Sequence, residues 1–141
     1  MAYLLDTCAV SELMERKPNR KVVDSLLAIP RDEIYLTCIV LGELRYGIDR
    51  LPESSRKSQL SRYYQASVLD VFADRILAVD IDVAHRWGRL AADMEAAGAT
   101  MQANDSWIAA VALTHGLTVV TRNVDDFVNS GVVLLNPWEA A

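Results

Sequence analysis

The amino-acid sequence predicts an α/β protein with a mostly parallel, twisted central β-sheet flanked by α-helices, forming one domain over residues 1–141. Three observations carry that reading. Short apolar runs alternate with stretches of helical periodicity along the whole chain, the pattern of strands joined by crossover helices. The run Leu117–Thr121 is apolar without alternation, as expected of a strand covered on both faces. No repeat, low-complexity segment or linker divides the chain.

Taken in order, Tyr3–Thr7 reads as a first strand that ends in an acid, Asp6. Ala9–Glu15 reads as a short helix, followed by a basic loop broken by Pro18. Val22, Val23, Leu26 and Leu27 stand at helical spacing, and Pro30 closes that helix. Glu33–Thr37 is a second strand, and Cys38–Ile48 an apolar helix with one acid, Glu43, inside it. Ser54–Phe72 reads as one long helical region, whose Tyr63 and Tyr64 are expected in the core or at a subunit interface rather than as a base-stacking platform. Ile76–Val79 is a third strand. Asp82 is expected to cap the helix Val83–Ala97, which Gly98 ends. Asn104 or Asp105 is expected to cap a further helix that stops at Gly116, where a left-handed residue is wanted. The strands Leu117–Thr121 and Val132–Leu135 complete the sheet.

Bulk composition excludes several classes of function. No apolar run approaches the roughly 20 residues of a membrane span. No basic leader with an apolar core precedes the first strand. Cys8 and Cys38 are isolated rather than paired in a C-x-x-C motif, which fits reduced thiols and a cytoplasmic location. The net charge of −5 has the wrong sign for nucleic-acid binding through bulk electrostatics. A polyanionic substrate therefore requires metal ions and local basic patches. Arg16, Lys17, Arg20 and Lys21 form one such cluster, and Arg56, Lys57 and Arg62 another; both read as solvated faces. Arg122, between a strand end and an acidic loop, is the expected exception and a candidate phosphate contact.

The informative residues are acids. Asp6 follows the first strand, Glu43 lies in an apolar helix, Asp105 opens the late helix, and Asp125 and Asp126 follow the next strand. In a parallel α/β sheet these positions face one end, the carboxyl ends of the strands, where such folds bind ligands. Clustered carboxylates repel one another, and hard cations such as Mg²⁺ or Mn²⁺ relieve the repulsion through oxygen ligands. Such ions polarise phosphodiesters and activate water. His85 and His115 lie within or at the end of helices and read as structural. The chain has no glycine-rich phosphate loop, no Asp-x-Asp after the first strand, and no strand-end lysine of a phosphoacceptor domain. Cys8 stands beside a carboxylate that disfavours its thiolate, so it is not read as a nucleophile.

These segments resemble a known family. LLDTCAVSEL at residues 4–13, LGELRYGI at 41–48, NDSWIAAVALTHGLTVVTRNVDDF at 104–127 and LLNPW at 134–138 together resemble the PIN-domain ribonucleases. The likeness is to the VapC-type toxins of bacterial toxin–antitoxin pairs, on their FitB-like branch, and covers essentially the whole length. It implies a PIN-like fold and Mg²⁺- or Mn²⁺-dependent cleavage of RNA. By motif position it implies catalytic and metal-ligating roles for Asp6, Glu43, Asp105 and Asp126. Thr7, Thr121, Asn123, Asp125 and Arg122 are implied as supporting residues, with Asp125 an alternative fourth acid. The family's Asp-Thr pair is commonly followed by Asn or Ser, where this chain has Cys8. The resemblance further implies a homodimer, held inactive by a VapB/FitA-like antitoxin that covers the cleft and alone contacts operator DNA. Two other classes stand beside this expectation: a catalytically silent module using its acids for a structural ion, and a phosphatase acting on small phosphomonoesters.

Overall fold

The computed structural model describes residues 1–139. Five strands form one sheet: β1 (Tyr3–Leu5), β2 (Ile34–Thr37), β3 (Ile76–Leu77), β4 (Thr118–Val120) and β5 (Leu134–Leu135). Their order is β3-β2-β1-β4-β5, and every neighbouring pair is parallel. The chain builds outward from β1 to β3, then returns past β1 to lay down β4 and β5 on the other side. Order therefore reverses between β1 and β4, and the carboxyl ends of these strands flank the switch-point crevice where open α/β sheets bind ligands.

Six α-helices connect and cover the sheet: α1 (Thr7–Leu13), α2 (Arg20–Leu27), α3 (Cys38–Asp49), α4 (Ser55–Tyr63), α5 (Ile81–Ala96) and α6 (Ala103–His115). The strands are short and buried because both faces are covered: Leu4, Leu36, Val119 and Val120 are fully excluded from solvent. Val40, Leu44 and Ile48 of α3, Val83 and Leu90 of α5, and Ile108 and Val111 of α6 complete the core. The alanines of α6 (Ala109, Ala110 and Ala112) are buried, which lets the helix approach the sheet closely. Its last turn ends at Gly116, whose φ of 67° is the left-handed stop anticipated from the sequence. Across the α5–α6 contact, the rings of Trp87 and Trp107 stack at 4.6 Å, and the Trp87 indole N–H donates to Ser106 Oγ at 3.0 Å.

The structure corrects several local expectations. Asp80, not Asp82, caps α5, accepting from the Val83 amide at 3.0 Å; the helix begins earlier than the apolar spacing suggested. Helix α6 opens at Ala103, with Gln102 in the cap position and no side-chain cap bond. Asp105 therefore sits in the first turn with its carboxylate unspent on backbone amides. The region 54–72 is not one regular helix: after α4 it widens into a π-helical turn, Tyr64–Leu69. Tyr64 is buried and donates to the Leu41 carbonyl at 3.4 Å, so it belongs to the core as anticipated, with Tyr63 partly buried against it. Helix α2 begins at Arg20, two residues before its apolar stripe, because Asn19 caps it through the Lys21 amide.

Arg75 was not singled out from the sequence. Its buried guanidinium donates to the carbonyls of Arg31, Ile34 and Val71, tying the approach to β3 onto the start of β2. The basic clusters are surface features. Arg20 pairs with Asp24, Lys57 with Glu53, and Arg56 donates to the Met14 carbonyl. His85 and His115 are both solvent-exposed. No helix among the described residues is long and apolar enough to cross a membrane.

Candidate active site

The site is built where β1 and β4 end. Asp6 directly follows β1 and is only 5% exposed. Its backbone is tied to the sheet, the amide donating to the Val120 carbonyl at 2.9 Å. One carboxylate oxygen accepts from the Thr7 amide at 2.8 Å, and the other from the Thr121 hydroxyl at 2.8 Å. Thr121, fully buried just after β4, thus bridges the two central strands across the switch point. The same hydroxyl accepts from the Asn123 amide at 3.0 Å, fixing the first bend of the acidic loop.

Cys8 completes this inner network. Its sulfur stands 3.5 Å from the Thr121 hydroxyl and 3.7 Å from an Asp6 carboxylate oxygen, and accepts from the Arg122 amide at 3.4 Å. The thiol stands where the resemblance leads one to expect Asn or Ser, in contact with Asp6, Thr121 and the Arg122 amide. Burial, more than the neighbouring Asp6 charge, pushes its pKa up, so it is a thiol and not a nucleophile.

The remaining acids come from three separate elements. Glu43 lies midway along α3 and accepts from the Thr7 hydroxyl at 2.7 Å, so Thr7 links Asp6 to Glu43 through its own amide and side chain. Asp105 is half-buried on the first turn of α6. Asp126 ends a short 3₁₀ turn, Val124–Asp126, with its amide bonded to the Asn123 carbonyl at 3.0 Å. The acids act on one another through their charges. Burial first, and then the charges of Asp6, Asp126 and Glu43, raise the Asp105 pKa to about 6. Asp6 is raised by burial and by Glu43, against the lowering effect of the bonds from Thr121 and Thr7.

The chain belongs to the PIN-domain family. The family model for the PIN domain matches residues 3–129. A VapC ribonuclease from Sinorhizobium fredii, Y4jK, is 33% identical over 98% of this chain and 99% of its own length. Toxin FitB from Neisseria gonorrhoeae is 36% identical, covering 96% of this chain and 97% of the relative. The crystal structure of FitAcB from Neisseria gonorrhoeae superposes with a TM-score of 0.92 at 36% identity, covering 98% of this chain and 99% of that one.

Within this PIN domain, Asp6, Glu43, Asp105 and Asp126 come from four different segments; Thr7 bonds both Asp6 and Glu43, and the charges of Asp6, Asp126 and Glu43 act on Asp105. Thr7, Thr121 and Cys8 hold Asp6. Asp125 and Asp126 are both exposed, and it is the charge of Asp126 that acts on Asp105. Asn123 enters through its backbone, not through a side-chain bond to the acids. The Arg122 guanidinium packs 5.6 Å above the Trp138 ring, at the rim of the site. Trp138 in turn donates to Glu12 at 3.3 Å, so the LLNPW segment braces the acidic loop.

The donor set is all oxygen, which fits a hard divalent cation and not a thiolate- or imidazole-binding one. Among the described residues no three acidic, thiol or imidazole side chains close into a ready-made cage. The raised Asp105 and Asp6 are groups whose ionised forms such a charge would stabilise.

Proposed function

We propose that this PIN domain is a Mg²⁺- or Mn²⁺-dependent endoribonuclease, the toxin of a type II toxin–antitoxin pair. The observation that carries the reading is the Asp6–Thr7–Glu43 link at the switch point, beside an Asp105 on which the charges of Asp6, Asp126 and Glu43 act. Asp6, Asp105 and Asp126 are assigned as ligands, with Glu43 completing the acidic rim. A divalent cation bound there supplies Lewis acidity to a phosphodiester and lowers the barrier to attack by water. Thr121 and Cys8 hold the Asp6 carboxylate in one orientation, which is what a ligand needs to act without reorganisation. Glu43, which accepts from the Thr7 hydroxyl, would take the proton of an attacking water. Arg122 at the rim offers a cation to the substrate phosphates in an otherwise acidic neighbourhood.

The names of the relatives support this activity, and full-length coverage supports its transfer to this chain. By the same reasoning the protein forms a homodimer in the cytoplasm. A VapB/FitA-like antitoxin neutralises it by covering the cleft, and operator DNA is bound only through that partner. The test is cleavage of total RNA by the purified chain with Mg²⁺, Mn²⁺ or EDTA, beside the near-isosteric Asp105→Asn. Metal-dependent cleavage that Asp105→Asn abolishes is the expected result. Equal cleavage by both proteins would refute the assignment.

A further inference from the structure

Beside the acids lies a cavity of about 570 Å³ whose wall includes Thr7, Glu43, Tyr46, Arg50 and Asn104. Asn104 directly precedes Asp105, and Thr7 and Glu43 belong to the site itself, so this cavity adjoins it. Its volume lies within the range of small-molecule sites, roughly 300–1,000 Å³. Gly42 and Gly47 leave open space where a Cβ would stand, so the α3 face between Glu43 and Tyr46 is not filled by side chains.

Two side chains on that face make no side-chain hydrogen bond or ion pair among the described residues. Tyr46 is 68% exposed, although burial of so large a ring would favour folding. The Arg50 guanidinium, one helical turn later, lies over the ring at 5.4 Å from its centroid, and both side chains line the cavity. Arg50 has no carboxylate within ion-pair distance among the described residues, whereas Arg45 on the same helix is paired with Asp49. In a chain of net charge −5, an uncompensated cation beside the acidic cluster attracts a polyanion locally where the protein as a whole repels it.

We propose that Tyr46 and Arg50 form a nucleotide subsite next to the cleavage centre: an unpaired base of the RNA stacks on the exposed ring of Tyr46, and Arg50 contacts the adjoining phosphate. This rests on the ribonuclease reading and narrows it to single-stranded RNA, or to loops, at the point of cleavage. An exposed flat ring beside a cation accepts any base because every base has a π-face. A paired base within a duplex has no such face to offer.

The test is fluorescence anisotropy of the full chain with a fluorescein-labelled, random-sequence 12-nucleotide RNA, single-stranded or as a duplex, with Ca²⁺ as the divalent ion. Tyr46→Ala is expected to weaken single-strand binding about tenfold and to leave duplex binding within about twofold. Tyr46→Phe stays within about twofold of wild type, while Tyr46→Leu, apolar but without a π-face, behaves as Tyr46→Ala. Arg50→Ala lowers affinity and reduces the salt slope by about 1. Wild-type affinity of Tyr46→Ala for the single strand would overturn the subsite and leave this face to a protein partner. Equal loss for single strand and duplex would overturn it as well. Total-RNA cleavage in Mg²⁺ separates the two readings. An active wild type with a fully active Tyr46→Ala refutes the subsite alone, whereas a wild type that neither binds nor cleaves refutes both.

Discussion

Asp105→Asn should stabilise the metal-free protein. The Asp105 carboxyl is raised from 3.8 to about 6, by burial first and then by Asp6, Asp126 and Glu43. At ~1.4 kcal/mol per pH unit this corresponds to roughly 3 kcal/mol for a fully buried group. Asp105 is only half-buried, and solvent screening reduces the figure to about 1 kcal/mol. The folded protein holds this proton more tightly than the unfolded chain does, so the favourable contribution is present below about pH 4. It is lost as pH rises through about 6, and at pH 7.5 the ionised group opposes folding. Asparagine keeps the shape and removes the charge. Differential scanning calorimetry in EDTA at pH 7.5 should therefore show Asp105→Asn melting ~3–5 °C above wild type. The gap should close by about pH 4, and millimolar Mg²⁺ should raise the wild type but not the variant. A variant that melts at or below wild type at pH 7.5, or a gap unchanged at pH 4, would refute the account of a strained acidic cluster.

Further predictions follow from the same geometry. Asp126→Asn removes a proposed ligand and should reduce cleavage by at least the roughly 10–100-fold that losing a group behind a ligand costs, while Asp125→Asn stays within a few-fold; side-by-side kinetics on one RNA substrate decide between them. Thr121→Val removes the hydroxyl bonded to Asp6 and leaves its buried carboxylate one donor short, so stability should fall by about 1–3 kcal/mol in urea denaturation. Cleavage should fall with it, and full activity would show that Asp6 does not need that bond. Reaction with a thiol-specific disulfide reagent at pH 7.5 should label exposed Cys38 quickly and Cys8 slowly, because Cys8 is half-buried and its pKa is raised. Two equally fast thiols would contradict the network around Asp6.

Much of this molecule is legible in its chain because local chemistry and tertiary position agree. The apolar runs ending at Leu5, Thr37 and Thr121 announce covered strands, and the acids after them can only lie at the carboxyl edge of a parallel sheet. The glycine stop at Gly116 follows from the left-handed conformation that it alone adopts without strain. Caps were less legible: the apolar spacing pointed to Asp82, and the backbone gives the role to Asp80, whose oxygen reaches the Val83 amide. Asp105 looked like a cap for the same reason, and only the helix start at Ala103 reveals that its carboxylate is free.

The sequence by itself determined the residue types, their order along the chain and hence the family. It left both Asp125 and Asp126 open as the fourth acid, adjacent residues in one 3₁₀ turn. It could not show that Cys8 stands against Asp6, or that Thr121, 115 positions away, donates to the same carboxylate. Tyr46 and Arg50 acquire meaning only once α3 is laid beside Thr7 and Asn104. Periodicity reports which side of an element is buried, but the distance between two side chains on different elements is set by packing, and chemistry depends on that distance.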